Sequence, residues 1–455
     1  RDVAQQAVIA ASTKMAAAFP LHPERNRVLL ASAEDLYMLK RYEEAIAISR
    51  PLLASADLQE SHLTRKALSI TADAFFAQNN FAQAERYYSR LMGMLSGKQA
   101  LRLIAAERLS VSVYRLAEEA RANGDGALAA NLFLRAAKLS PKSELQANAS
   151  FDAAGQFYAI EDWQSTADVL QNFASSFPRH AMAAEGEKLL AETYQKLAQP
   201  ALAAAAYARI ALRSVETVET RRHASYLAAK LYGQAGQLAR ERTALENYVS
   251  HFPEPLLEAQ QFRQRLSNIA AARSETQLRW LNDIVAADKR AAQSLPSSQL
   301  IAAEASLQLA MIAVRQANAV ELSLPIADSL PRRQRAMELA IDSLARAAAY
   351  GFADITTLAG HELGDLYRHF AIALMKSEKP RELRGDVLEE YSLLLEEQAY
   401  PFEEKAIHAF ETNVARVREG VWTAGMRKSL GALTELAPAK YGKQPELESS
   451  YGSFD

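Results

Sequence analysis

Six alanines, Ala33, Ala72, Ala117, Ala154, Ala191 and Ala229, each stand twelve residues before a second marked position: Ala45, Ala84, Ala129, Thr166, Ala203 and Glu241. The second positions follow one another at intervals of 39, 45, 37, 37 and 38 residues. A chain that repeats one spacing six times is built from one repeated unit, and such a unit constrains the architecture before any single motif does. A short phrase opens each copy: Tyr42-Glu-Glu-Ala45, Phe81-Ala-Gln-Ala84, Gly126-Ala-Leu-Ala129, Trp163-Gln-Ser-Thr166, Pro200-Ala-Leu-Ala203 and a degenerate sixth around Glu241.

Large residues keep the same phase in most copies, with Ala120 and Ser49 as the exceptions. Leu36, Phe75, Ala120, Phe157, Tyr194 and Tyr232 follow the first alanine by three, and Ser49, Tyr88, Phe133, Leu170, Tyr207 and Leu245 follow the second position by four. Pro141, Pro178 and Pro253 close three copies twelve residues on. A small residue lets two helices cross closely, a large one fills the gap to the next unit, and proline ends a helix because it has no N–H to donate. Each hairpin leaves an apolar face bare until a neighbour stacks on it. Alanine-rich stretches such as Ala127–Ala137 and Ala201–Ala211 favour helix packed on helix. With 49% hydrophobic and 23% charged residues the chain can bury a continuous core.

Small, aromatic, small, aromatic and proline at these offsets resembles the tetratricopeptide repeat (TPR). The resemblance spans roughly residues 1–270 and implies an all-α fold, an α-solenoid wound as a right-handed superhelix of stacked antiparallel helix hairpins. The intervals exceed the family's 34 residues, the first-helix Trp is absent, and Ala stands where the family has Gly. Phe19-Pro20 matches Phe177-Pro178 and Phe252-Pro253. Residues 1–20 therefore read as the orphan second helix of a truncated repeat, in an excised or processed chain that begins with Arg1. Residues 21–254 hold the six repeats, residues 255–440 continue as less regular hairpins, and residues 441–455 read as a flexible tail.

In the second half the pattern predicts helices over Leu256–Ala272 and Glu275–Ala292, then Gln299–Ala317 capped by Ser297-Ser298. A loop is expected at Ser323–Pro331, then helices over Arg332–Tyr350, Ile355–Lys376 and Arg381–Gln398. A separate helix should start at Pro401, run to about Arg418, and turn at Gly420-Val-Trp422 into Ala424–Leu436. The stretches Glu397–Ile407, Gly420–Trp422 and Pro438–Tyr441 are similar to the C-terminal part of exported bacterial TPR proteins associated with TonB/Tol-type envelope systems. That resemblance implies a periplasmic or outer-membrane-associated protein.

Nothing in the chain spells out catalysis. Without cysteine, thiolate chemistry and Cys-ligated metals are excluded. A net charge of −2 speaks against a nucleic-acid partner, and the run Arg332, Arg333 and Arg335 reads as a solvated helix start. No apolar run of membrane-spanning length is expected. His361 and His369 lie eight apart, two turns along one helix, and cannot chelate one ion together. His22, His180 and His251 fall at loop junctions. Gly124-Asp125-Gly126 lacks the spacing of a phosphate loop and falls at a hairpin turn. Neighbouring glutamates such as Glu389-Glu390 diverge by about 100° on a helix. No serine shows a paired histidine. The expectation is a non-enzyme with no cofactor and no metal.

What remains is the inner face that the TPR resemblance assigns to the first helix of each hairpin. Counted from the small residue it takes positions six and three before, and one, four and five after. Those offsets select Tyr37, Phe76, Tyr114, Arg121, Phe151, Tyr158, Lys188, Tyr226 and Lys230, with Met38, Lys66 and Gln195 beside them. Rings interleaved with cations suit anchoring of a protein segment. The expected function is a protein-interaction scaffold. The alternatives are an adaptor that docks and activates an envelope enzyme such as a protease, and a structural, self-associating segment of a larger assembly.

Overall fold

The computed structural model describes residues 2–54, 62–96 and 100–442. The chain divides into two compact units, Arg1–Gln237 and Leu238–Asp455. The division falls inside the sixth repeat, between its two helices. Residues 443–455, most of the expected flexible tail, lie outside the described residues.

The first unit contains α1 (Asp2–Ala18), α2 (Arg25–Met38), α3 (Tyr42–Leu52), α4 (His62–Ala77), α5 (Phe81–Gly93) and α6 (Ala100–Ala122). It continues with α7 (Gly126–Leu139), α8 (Glu144–Ala159), α9 (Trp163–Ser176), α10 (Ala183–Lys196), α11 (Pro200–Ala211) and α12 (Val218–Gln234). Each helix packs on its successor, and first helices also touch across repeats, α2 with α4, α4 with α6 and α6 with α8. This is an all-α solenoid segment, with no strand among the described residues.

The repeat phrase marks the start of every second helix: Tyr42, Phe81, Gly126, Trp163 and Pro200 are all first residues. Two residues earlier the backbone is left-handed each time, at Lys40, Asn79, Gly124, Glu161, Ala198 and Gly236. The next N–H then bonds back to the carbonyl of the residue three after the small one, as Arg41 does to Leu36, Asp125 to Ala120 and Gln199 to Tyr194. That is the Schellman closure of a helix end. Asn80, Asp125 and Asp162 then cap the second helix by accepting the backbone N–H of Gln83, Leu128 and Ser165.

The small positions are the centre of each hairpin. Ala33, Ala72, Ala117, Ala154 and Ala191 are fully buried, as are Ala45, Ala84, Ala129, Thr166 and Ala203. Tyr88, Phe133 and Leu170, four residues on, are buried as well. The long 45-residue interval reflects α6, at 23 residues the longest first helix of this unit. Ile9 of α1 joins the cluster of Leu30, Ala33 and Leu36 on α2.

The second unit contains α13 (Leu238–His251), α14 (Leu256–Ile269), α15 (Glu275–Arg290), α16 (Pro296–Asn318) and α17 (Ile326–Ala348). It ends with α18 (Ala353–Met375), α19 (Asp386–Ala415), a 3-10 turn at Arg416–Glu419, α20 (Ala424–Leu436) and the short α21 (Pro438–Tyr441). Again each helix packs on the next, and α14, α16, α18 and α20 touch in series. Glu241, the odd anchor, is buried, and Arg265 of α14 grips both its oxygens at 2.7 and 3.0 Å.

Four expectations are corrected in this unit. Pro296 opens α16, so Ser297 and Ser298 sit inside the helix, and the Ser298 hydroxyl donates to the Leu295 carbonyl. The expected loop Ser323–Pro331 is helical from Ile326, with Pro331 only six residues in, where one early carbonyl loses its partner. The two helices expected on either side of Pro401 are one 30-residue helix, α19. An interior proline costs about 3 kcal/mol, and burial of Leu395, Ala399, Ala406 and Phe410 on both sides of it offsets that loss. Finally, Arg333 is buried: it donates to the Val320 carbonyl at 2.7 Å, and its guanidinium lies 5.8 Å from the Phe370 ring centre. Its place is four residues before Met337 on the buried face of α17.

The length of α16 also departs from expectation. It has 23 residues and a mean hydropathy of 1.3 over its most apolar window, long and apolar enough to cross a membrane, and half of that window is buried inside the unit. Ala303, Leu307, Ala310 and Val314 build the core shared with Met337, Ala340 and Leu344 of α17, as a core helix does.

Candidate partner-binding face

The first helices of the first unit, α2, α4, α6, α8, α10 and α12, present one recurring face. Directly after the small residue it carries Glu34, Asp73, Glu118, Gly155, Glu192 and Lys230. Rings and cations reach across from neighbouring repeats to these acids and to Asp152. The Tyr114 hydroxyl of α6 donates to Asp152 of α8 at 2.5 Å, and Arg121 stands 3.7 Å from the same carboxylate. Tyr158 of α8 donates to Glu192 of α10 at 3.4 Å. Lys66 of α4 reaches back to Glu34 of α2 at 2.5 Å, and Arg108 of α6 lies 3.9 Å from Asp73 of α4. Asp73 also accepts from the buried Tyr88.

Burial and these acids shift the phenols further toward the neutral form. Burial, then the bond to Asp152, pushes the Tyr114 hydroxyl well above the usual phenol range. Burial and Glu192 raise Tyr158, and burial followed by Asp73 raises Tyr37. Tyr207 rises to about 12 through burial and the nearby Glu192. Tyr114 and Tyr158 are thus held as hydrogen-bond donors at half-buried positions, as amphipathic anchors, while Tyr207 is buried behind them.

Tyr37 packs on Tyr42 at 5.6 Å, and Phe76 on Phe81 at 5.8 Å, with Arg108 5.0 Å over its face. Tyr114 meets Phe133 edge-on at 5.0 Å, and Tyr158 meets Trp163 at 5.0 Å. Phe151 turns to Phe173 of α9 at 5.9 Å, on the side of its own hairpin. Lys188 is bound to Glu216 at 3.1 Å, and Lys230 lies 5.6 Å over the Tyr226 ring. Met38 is 70% exposed. Gln195 accepts from Tyr207 at 2.9 Å, so the fifth repeat presents Lys188 and Gln195 where the others present a ring. The structure brings Tyr114 and Arg121 together through Asp152, ties Tyr158 separately to Glu192, and relates Tyr37 to Phe76 through Asp73 and Arg108. The sequence reading named the rings and left out their carboxylate partners. Glu34, Asp73, Glu118 and Glu192, which pair with rings or cations of this face, share the offset directly after the small residue, and that regularity is the available signal.

One arrangement in the second unit was not foreseen. Ser429 of α20 lies 3.4 Å from His361 Nδ1, and Asp365 stands 3.5 Å from His361 Nε2. The order serine, histidine, aspartate invites comparison with a catalytic triad. The geometry points elsewhere. Ser429 is fully buried and accepts from Asn413 at 2.8 Å, and Asn413 also donates to the Thr357 carbonyl at 2.8 Å. With the Thr357–Thr423 hydroxyl pair at 2.7 Å, the cluster ties α18, α19 and α20 together. Burial pushes His361 below the ordinary imidazole value, with Asp365 opposing. Among the described residues no three metal-type side chains converge.

No family model matches the chain, and no curated protein matches it. Similar solved structures include Naa15/Naa10 bound to HypK-THB, 14% identical, covering 91% of this chain and 64% of that one at a TM-score of 0.29. The P58(IPK) TPR domain is 11% identical over 92% of this chain and 99% of its own, at 0.21. A tetratricopeptide repeat protein from Parabacteroides merdae is 14% identical over 57% and 93%, at 0.23. Scores this low carry no functional weight, and the site rests on this chain's own geometry.

Proposed function

We propose that this chain is a non-enzymatic scaffold that holds an extended segment of a partner protein along the first-helix face of its first unit. The observation that carries the reading is the series of rings, in five of six repeats, held in place by ties such as Tyr114–Asp152 and Tyr158–Glu192. Packed helices lie about 10 Å apart, and an extended chain rises about 3.3 Å per residue. One ring per repeat therefore meets about every third residue of a bound segment. Because the rings are already immobilised, little side-chain entropy is lost on binding.

The test is capture of partners from cell extract by the chain and by a Tyr114→Ala/Tyr158→Ala/Tyr226→Ala variant of equal helicity. Capture should fall at least tenfold, and photo-crosslinkers placed at Tyr158 should mark the captured protein. Undiminished capture, with crosslinks arising only elsewhere, overturns the assignment. The setting we propose is the bacterial envelope, supported by the resemblance of the 397–441 stretch. Fractionation of cells making the protein checks it, and purely cytoplasmic recovery counts against it.

A further inference from the structure

The second unit carries a surface that the scaffold reading does not use. A groove of about 700 Å³ runs between α17 and α19, walled by Ile341 and Leu344, floored by Leu363 and Tyr367, and edged by Pro401 and His408. Its α19 edge does not stop where the groove stops. Val387, Leu394 and Pro401 stand seven residues apart, and Val387 and Leu394 are more than half exposed. On a helix this spacing draws one stripe, shared with Tyr391 and Gln398, and the stripe leads directly into the groove edge at Pro401, Lys405 and His408. A 30-residue helix is about 45 Å long, so the stripe and groove together are long enough for a partner of several helical turns.

Charge names the occupant. From Asp386 to Glu404 the helix has seven carboxylates and no Lys or Arg. None of them forms an ion pair among the described residues. Glu390, Glu397 and Glu404 keep the same seven-residue spacing and flank the apolar stripe as charged positions flank a coiled-coil seam. A second copy of this chain laid on the stripe would set these rows against each other, and like charges there repel. An anionic lipid surface is repelled for the same reason. The far half of the groove instead bears Lys405 and Arg416.

We infer that the α19 stripe and its groove are a docking site for an amphipathic helix of a partner protein, apolar on one face and rich in Lys or Arg along its edges. The basic edges lie over the Asp386–Glu397 half, and the apolar face enters the groove beside Pro401. This surface is independent of the first-helix face, and either assignment can fail alone.

The chain has no cysteine, so single-cysteine labelling is clean. An environment-sensitive dye is placed on Gln398→Cys within the stripe, and on Val215→Cys, an 82% exposed control in the first unit. The probes are two synthetic three-heptad peptides with Leu at the seam, one with Lys and one with Glu at the flanking positions. The Lys peptide should shift the Gln398→Cys dye and leave the Val215→Cys dye unchanged. The Glu peptide should bind at least tenfold more weakly. Glu390→Gln/Glu397→Gln/Glu404→Gln, which alters only surface side chains, should weaken the Lys peptide at least tenfold, with helicity unchanged by circular dichroism. Equal binding of both peptides, or a triple variant that binds as tightly, overturns the proposal. So does a dye shift produced by protein concentration alone, which would mark a second copy, or one produced by phosphatidylserine vesicles.

Discussion

Replacing Arg265 by Met should destabilise the second unit by about 2 kcal/mol, and removing Glu241 as well should restore most of the loss. Glu241 occupies the position where four repeats place alanine, and it is only 5% exposed. Its burial is tolerated because Arg265 supplies two parallel N–H donors, at 2.7 and 3.0 Å. Breaking a buried pair from one side typically costs about 3–5 kcal/mol, since the other charge is left without a partner. Arg265 itself is 48% exposed, so water can reach one carboxylate oxygen once it is gone. That lowers the expectation to about 2 kcal/mol, or about 4–8 °C in melting for a unit of this size. Met keeps most of the aliphatic stem, so packing changes little. Glu241→Ala restores the repeat's own residue and should lie within about 1 kcal/mol of the parent. Urea unfolding of the four proteins closes the cycle, with an expected coupling of about 1.5–2 kcal/mol. A coupling below about 0.5 kcal/mol would refute the view that the ion pair is what permits glutamate at this position.

The second unit should also lose stability on acidification. His361 has its proton affinity lowered by burial, against Asp365 and alongside Lys428 and Arg368, so the unfolded chain binds the proton first and stability falls as pH drops below the ordinary imidazole value of 6.5; His361→Gln should flatten this part of a urea-midpoint profile against pH. Gly425→Ala places a Cβ 2.5 Å from the Thr357 carbonyl carbon and 2.6 Å from the Leu358 nitrogen, backbone that cannot step aside, and should cost about 2 kcal/mol. Gly431→Ala, in the same helix with nothing within 4 Å, should instead stabilise by up to about 1 kcal/mol, and calorimetry on the two variants separates them by sign.

The first unit was legible because its errors average out. A single alanine predicts little, but Ala33 through Ala229 in phase place every hairpin, and the opening residues Tyr42, Phe81, Gly126, Trp163 and Pro200 mark helix starts to the residue. The left-handed turn position can be read from residue type at Gly124, Gly236 and Asn79; Lys40, Glu161 and Ala198 adopt it without advertising it. In the second unit no phase was available, and local rules lost to packing. Proline rules split the chain at Pro331 and Pro401, where buried faces on both sides keep the helix running. Arg333 looked solvated as one of three clustered arginines, although its four-residue step to Met337 placed it on the core face. The site was half legible. A ring at a groove offset can be read from one repeat, but its carboxylate lies 38 residues away for Tyr114 and 34 for Tyr158. Pairing them requires the rotation of both helices.

A strictly periodic face would have a defect as a binding surface. If every repeat offered the same ring and the same acid, a bound segment could slide by one repeat and lose little, so affinity would come without register. Specificity is a difference in free energy between registers, and it has to arise where the period breaks. The series after the small residue runs Glu34, Asp73, Glu118, Gly155, Glu192, Lys230. It breaks twice, by loss of the side chain at Gly155 and by reversal of charge at Lys230. The series of rings breaks separately in the fifth repeat, which keeps Glu192 but offers Lys188 and Gln195 in place of a ring. On the scaffold reading, the acidic positions and their rings supply the general grip, and Gly155, Lys188 and Lys230 choose the register. Departures that weaken the repeat as a sequence pattern are therefore the positions at which a partner could be told from its own sequence shifted by one repeat.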